Sequence, residues 1–378
     1  MNVDLTYVSS SMKDILAPGI CNNHHINREL SFIKVKKGYV LPFLHWEKSI
    51  GGIANSNGEA IKDFNDPNMK ESFSPFKDVS PSCRKEKAIY LGYLIDCFGH
   101  SFTDNLRKLW FLKTKECEDA VNEGYIFVYT TLFNQELPNY AREIIKYSGF
   151  DLSSAEHIIN VTQFEEIILP DNSLFPEEYG RCYTNEYLDT VAQLFKKVIK
   201  CSTLSQPIAK IYLSRKKITK NSKIKRDINE REIEREMNKL GYISLCPEDY
   251  CLADQIYYVS HCSHLATTEG SIAHISLFCR PGTNVTIICK SRYLNSFQVA
   301  INQIADLNVT YVEANHSKKK ALWIGPFYLC INKYFISYIG HYVPHMPYFL
   351  RCSYWKYPRI IPRIINKLFR ILNIKKRI

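Results

Sequence analysis

The sequence predicts an α/β fold of two consecutive units, each with a parallel sheet, facing one another across a cleft. Three observations carry this. From Lys87 onward, short apolar runs alternate with stretches whose apolar residues recur at helical spacing. One polar connector, Cys201–Pro207, divides the alternation into two sets. And 378 residues suit two cores better than one.

The elements follow in order. Residues 1–85 read as short strands and loops capping the first unit, with turn-rich stretches at Gly51-Gly52 and Asn65–Ser74. Ala88–Ile95 is an apolar, strand-like run, and Ser101–Leu112 carries Phe102, Leu106, Leu109 and Trp110 at helical spacing. Tyr125–Tyr129 predicts a strand, Glu136–Ser148 a helix, and Phe164–Leu169 a strand closed by Pro170. Thr184–Lys200 has the apolar face of a long helix, with Tyr187, Val191, Leu194 and Val198 on one side. In the second set, Ile208–Leu213 is a strand. Asn229 with Glu232 three residues later has the form of a helix start, and Gly241 that of its end. Tyr242–Leu245 (strand), Glu248–Ser260 (helix), Leu265–Thr268 (strand), Ser271–Phe278 (short helix), Asn284–Ile288 (strand) and Val309–Val312 (strand) complete it. The boundaries are 1–205, 206–345 and a basic tail, 346–378. In open sheets of this kind ligands lie beyond the carboxyl ends of the strands.

Composition narrows the function. The net charge is +11, but no acidic residue follows Glu313, while thirteen lysines and arginines do. Removing those thirteen leaves 36 basic against 38 acidic residues, so the main body is near neutral and no nucleic-acid surface is implied. The start lacks the basic and apolar regions of a signal peptide, and thirteen scattered cysteines read as reduced core thiols, so the expectation is a cytoplasmic protein. Ala321–Leu350 is aromatic but broken by prolines. Arg351–Ile378 reads either as a basic amphipathic helix that lies on an anionic membrane or as a last helix docked on the first unit. Neither GxGxxG nor the Walker A pattern is present, which disfavours hydride transfer and P-loop phosphoryl transfer.

Three constellations can carry chemistry. Gly99-His100 follows a strand, and His100 and Asp104 are four residues apart, a spacing that lets them share a helix face. Such a histidine can take a proton near neutral pH; a polar helix start beside a solvated aspartate has the same spacing. Arg215 leaves the end of a strand, where its planar fork suits a pyrophosphate. The run that follows to Arg226 reads equally as a solvated basic loop. Glu269-Gly270-Ser271, with His274 beyond, turns from a strand into a helix, which gives a phosphate seat or a plain turn.

Taken in order, these pieces resemble glycosyltransferase family 61, including bacterial capsular polysaccharide biosynthesis proteins. The resemblance runs from about Ile89 to Cys289. It lies in Gly99–Trp110, Ser214-Arg215, Arg226, Asn229-Glu230, Gly241-Tyr242, Pro247-Glu248, Gln255, Gly270-Ser271 and the Leu277-Phe278 to Thr283 stretch. It implies two Rossmann-like domains facing a cleft (GT-B-type), inverting chemistry and a nucleotide-sugar donor, commonly a UDP-sugar, used without a bound metal or other cofactor. The absence of an Asp-x-Asp motif agrees. The partners implied are a nucleotide sugar and a saccharide or lipid-linked acceptor for surface polysaccharide. His100 and Asp104 fall on the acceptor side. Arg215, Arg226, Glu230, Glu269, Gly270, Ser271 and His274 fall on the donor side, with no metal ligand. Many members have His-Gly-Ala-Gly where this chain has Glu269-Gly270-Ser271-Ile272, which leaves the donor open. The rival readings are another two-Rossmann sugar-nucleotide enzyme, such as an epimerase, and a non-catalytic scaffold or basic binding protein.

Overall fold

A computed structural model describes residues 1–45, 50–61, 81–217, 227–315, 327–341 and 343. Arg226, the 346–378 tail and nearly half of the 321–350 stretch lie outside them. The chain is mixed α/β, built on two sheets whose cores are parallel.

The first sheet has five strands in the order Phe32–Lys36, Glu166–Pro170, Lys87–Leu94, Ile126–Thr131 and Ala155–His157. Only the Phe32–Lys36 edge is antiparallel. The central strand is buried from Ala88 to Leu94, as an apolar run covered on both faces must be. A four-stranded sheet of Ile50–Ala54, Tyr39–His45, Thr162–Gln163 and Ser82–Cys83 extends this half. A hairpin, Leu174–Glu177 with Gly180–Tyr183, follows the last of its long strands.

The second sheet has six strands and is parallel throughout. Its order is Asn2–Tyr7, Asn308–Glu313, Asn284–Cys289, His264–Thr268, Lys210–Leu213 and Ile243–Leu245. The edge strand therefore comes from the start of the chain. Residues 1–85 were expected to cap the first unit, but Asn2–Tyr7 pairs with Asn308–Glu313, and the Ser10–Cys21 helix packs against Ser296–Ile304. Periodicity reads a strand but carries no information on which distant strand it joins.

The expected helix over Ser101–Leu112 is broken into three pieces: an α-turn Phe98–Phe102 and two 3-10 turns, Asp104–Leu106 and Leu109–Lys113. Polar side chains cause the break by turning inward. Asn105 exchanges two hydrogen bonds with the Ile95 backbone, at 2.8 and 3.0 Å, and Arg107 and Lys108 are buried. The Glu230–Lys239 helix forms as predicted, but Asn229 does not cap it. Asn229 sits at φ +72°, and its side chain donates to the Leu329 carbonyl instead. Ser271–Phe278 resolves into a six-residue 3-10 helix, Ala273–Phe278, too short for a helix dipole to seat an anion.

One apolar core runs through both halves. It joins Leu91, Phe102, Tyr187 and Leu194 to Leu213, Ile256, Leu277 and Val285. Phe102 meets Phe278 edge-on at 5.2 Å across this seam. Among the described residues no helix is long and apolar enough to cross a membrane.

Candidate functional site

The site is built where the Phe98–Phe102 turn of the first half meets the Glu269–Ser271 turn of the second. Gly99 makes the meeting possible. A Cβ there would lie 2.5 Å from His274 Nδ1 and 2.8 Å from the Ser271 backbone, so only glycine fits. Cys97 Sγ and Ser271 Oγ, 3.0 Å apart, close the same contact.

His100 and Asp104 are brought together as their spacing anticipates, although the helix ends between them. His100 Nδ1 pairs with Asp104 Oδ2. The carboxylate is buried and also accepts from Thr103 Oγ1 at 3.1 Å, with Arg107 Nη1 at 3.5 Å from its other oxygen. Burial would raise the Asp104 pKa, but His100, Arg181 and Arg107 hold it well below the usual carboxylate range. An ionised Asp104 accepts from Nδ1–H, which leaves Nε2 as the basic nitrogen of the neutral ring. About a third of the His100 side chain is open to solvent. Its pKa is raised: burial pulls it down, and the Asp104 charge and hydrogen bond more than offset that.

Phe297, in the first turn of the Ser296–Ile304 helix, joins the parts. Its ring lies edge-on to His100 at 5.3 Å and tilted against His274 at 5.8 Å, and the Arg181 guanidinium sits 4.3 Å over it. His274 is buried, with Nε2 3.3 Å from Asn295 Nδ2. Burial, then the charge on His100, pushes it down to about 4, so it is neutral at neutral pH.

Of the residues expected on the donor side, Arg215, Glu269 and Gly270 lie at the carboxyl ends of the second sheet's strands, where an open parallel sheet places ligands. Ser214-Arg215 follows Lys210–Leu213, Glu269-Gly270 follows His264–Thr268, and Lys290-Ser291 follows Asn284–Cys289. Gly270, at φ +116°, lets the Lys290 amine approach to 3.4 Å from where a Cβ would be. Arg215 Nε lies 2.7 Å from Asp227 Oδ2, and Lys290 Nζ 3.0 Å from Oδ1 of the same carboxylate. The Arg215 backbone N–H donates to Glu230 at 2.5 Å, and Ser291 Oγ donates to Glu269 at 3.0 Å. Burial pushes both Glu230 and Glu269 up to about 7. Arg215 is buried, whereas Lys216 is half-buried and Lys217 exposed, and the rest of the basic run, 218–226, lies outside the described residues.

Sequence reasoning missed Arg181, Asp227, Lys290 and Phe297. Lys290 had a readable signal, a lone cation directly after an apolar strand. Phe297 had another, since Asn295 and Gln298 have capping-box spacing and Asn295 does accept from the Gln298 N–H at 3.2 Å.

In comparison with known proteins, the model of the family described as Glycosyltransferase 61 matches residues 98–286, half of the chain. The match begins at the first residue of the turn that carries His100 and takes in Arg215 and the Glu269–Ser271 turn. None of the curated proteins compared with the chain matches it.

Proposed function

Since the chain belongs to the glycosyltransferase 61 family and is therefore a glycosyltransferase, we propose that it moves a sugar, with inversion, from a UDP-type nucleotide donor to a saccharide or lipid-linked acceptor in surface or capsular polysaccharide assembly. The observation that carries this reading is the contact between the His100–Asp104 pair and the Gly270–Ser271 turn through Gly99. A basic nitrogen and a cluster of cations at strand ends then flank one turn. The two parallel sheets support reading the halves as the Rossmann-like units of a GT-B-type architecture, with donor binding assigned to 206–345.

The chemistry follows from those roles. His100 Nε2 accepts the proton of an acceptor hydroxyl as its oxygen attacks the anomeric carbon. The bond from that carbon to the diphosphate oxygen breaks, and the nucleoside diphosphate leaves with the electron pair. Asp104 keeps the proton on Nδ1 and stabilises the imidazolium. Arg215 and the Gly270–Ser271 turn contact the diphosphate, so that fixed cations rather than a metal meet the charge that develops. Glu230, Glu269 and His274 belong to this donor side by their placement around the turn. The basic 351–378 segment, from its charge, holds the enzyme at the inner face of an anionic membrane.

A panel of nucleotide sugars in thermal unfolding tests the reading. A donor at about 100 times its Kd should add about 2.7 kcal/mol, and turnover should need an acceptor. Sugar turnover without an acceptor would instead indicate an epimerase.

A further inference from the structure

The buried cations divide into two kinds. Arg215 and Lys290 share the Asp227 carboxylate, so each of them already has a protein partner. Arg181 differs. It lies on the inner strand of the Gly180–Tyr183 hairpin and is 6 % exposed. Among the described residues no carboxylate or other acceptor bonds its guanidinium, and its contact is the Phe297 ring at 4.3 Å. Its nitrogens keep access to solvent, so the oxygens of an anion can replace water as their acceptors while the Phe297 ring holds the plane.

Its position says which anion. Phe297 carries Arg181 on one contact and His100 on another. The Arg181 charge reaches the pair, opposing protonation of His100 and favouring the Asp104 anion. A group transferred beside His100 leaves behind a diphosphate, and the planar fork of an arginine matches phosphate oxygens bidentately.

We propose that Arg181, stacked on Phe297, is a donor-binding residue that contacts the diphosphate of the nucleotide sugar. This rests on the nucleotide-sugar reading above. Arg181 then stabilises the charge of the leaving group, and Phe297 sets the guanidinium's plane.

The test uses the full chain and calorimetric binding of UDP, GDP, CDP and ADP, each beside its nucleoside. Arg181→Gln should weaken diphosphate binding roughly 10- to 100-fold, the effect of losing a charged hydrogen-bonding group, with nucleoside binding nearly unchanged. Arg181→Lys keeps the charge and loses the fork, and should fall between. A structure of the wild-type protein with the tightest diphosphate, which needs no variant to fold, should place the guanidinium in hydrogen-bond contact with a phosphate oxygen. Unchanged diphosphate affinity in folded Arg181→Gln, or a complex without that contact, overturns the inference. If the wild-type chain binds no nucleoside diphosphate, the nucleotide-sugar reading itself falls and takes the inference with it.

Discussion

At His100 burial and charge pull in opposite directions, and Asp104 decides the outcome. His100→Ala should therefore lower kcat by roughly 10²- to 10⁴-fold while leaving donor affinity near wild type, as read by steady-state kinetics and calorimetry. Asp104→Asn removes the anion that raises the His100 pKa. The base is active when deprotonated, so the acidic limb of the pH–rate profile should move to lower pH, and an unmoved limb would place the working base elsewhere. Glu269 has the converse environment. Burial raises its pKa to about 7, above the roughly 4.3 of an unfolded glutamate. Between those two values the folded state holds a proton that the unfolded chain has released, so this group's contribution to stability falls as pH rises through the window. Glu269→Gln should accordingly raise the midpoint of thermal unfolding more at pH 8 than at pH 5. That His100 and Asp104 meet was legible from their spacing, and that Arg215 and Glu269 stand at strand ends from the apolar runs before them. Their ionisation was not, because burial and partners from distant elements determine it.

The long buried strands from Lys87 onward were read to within a residue or two, since a strand buried on both faces is a near-continuous apolar run, as in Lys87–Leu94 and Asn284–Cys289. Helices were less legible where polar residues turn inward. The run from Ser101 to Leu112 has helical spacing, yet Asn105 is committed to the Ile95 backbone, and the chain turns around that clamp. Arg181 and Phe297 went unread because the hairpin and the Ser296–Ile304 helix that carry them were not identified. Gly99 shows how two elements depend on a missing atom. Gly99→Ala would drive the first turn away from Ser271 and His274. It should destabilise the fold by about 1–3 kcal/mol and reduce turnover beyond that loss, as judged by thermal unfolding beside kcat at a temperature where the variant is folded.

Across the whole molecule, the halves are bound by a single core and by a strand that crosses from one end of the chain to the other sheet. Domain closure about a free hinge is not what such a seam favours, so the geometry at Gly99 is pre-set rather than assembled on binding. A fragment of residues 206–378 lacks the edge strand Asn2–Tyr7 and the Ser10–Cys21 helix behind it. It should be unstable alone and regain native-like circular dichroism when a peptide of residues 1–25 is added; a fragment that is stable without the peptide would show that the crossing strand contributes little. Periodicity revealed the alternation but not this crossing, since Asn2 and Asn308 meet across 306 positions of sequence. That separation also has a meaning in time. At about 5–20 residues per second of synthesis, Asn2–Tyr7 leaves the ribosome roughly 15–60 seconds before Asn308–Glu313 exists. For that interval the nascent chain carries an unpaired strand with Val3 and Leu5 on it, a segment for a chaperone to hold until its neighbour is made.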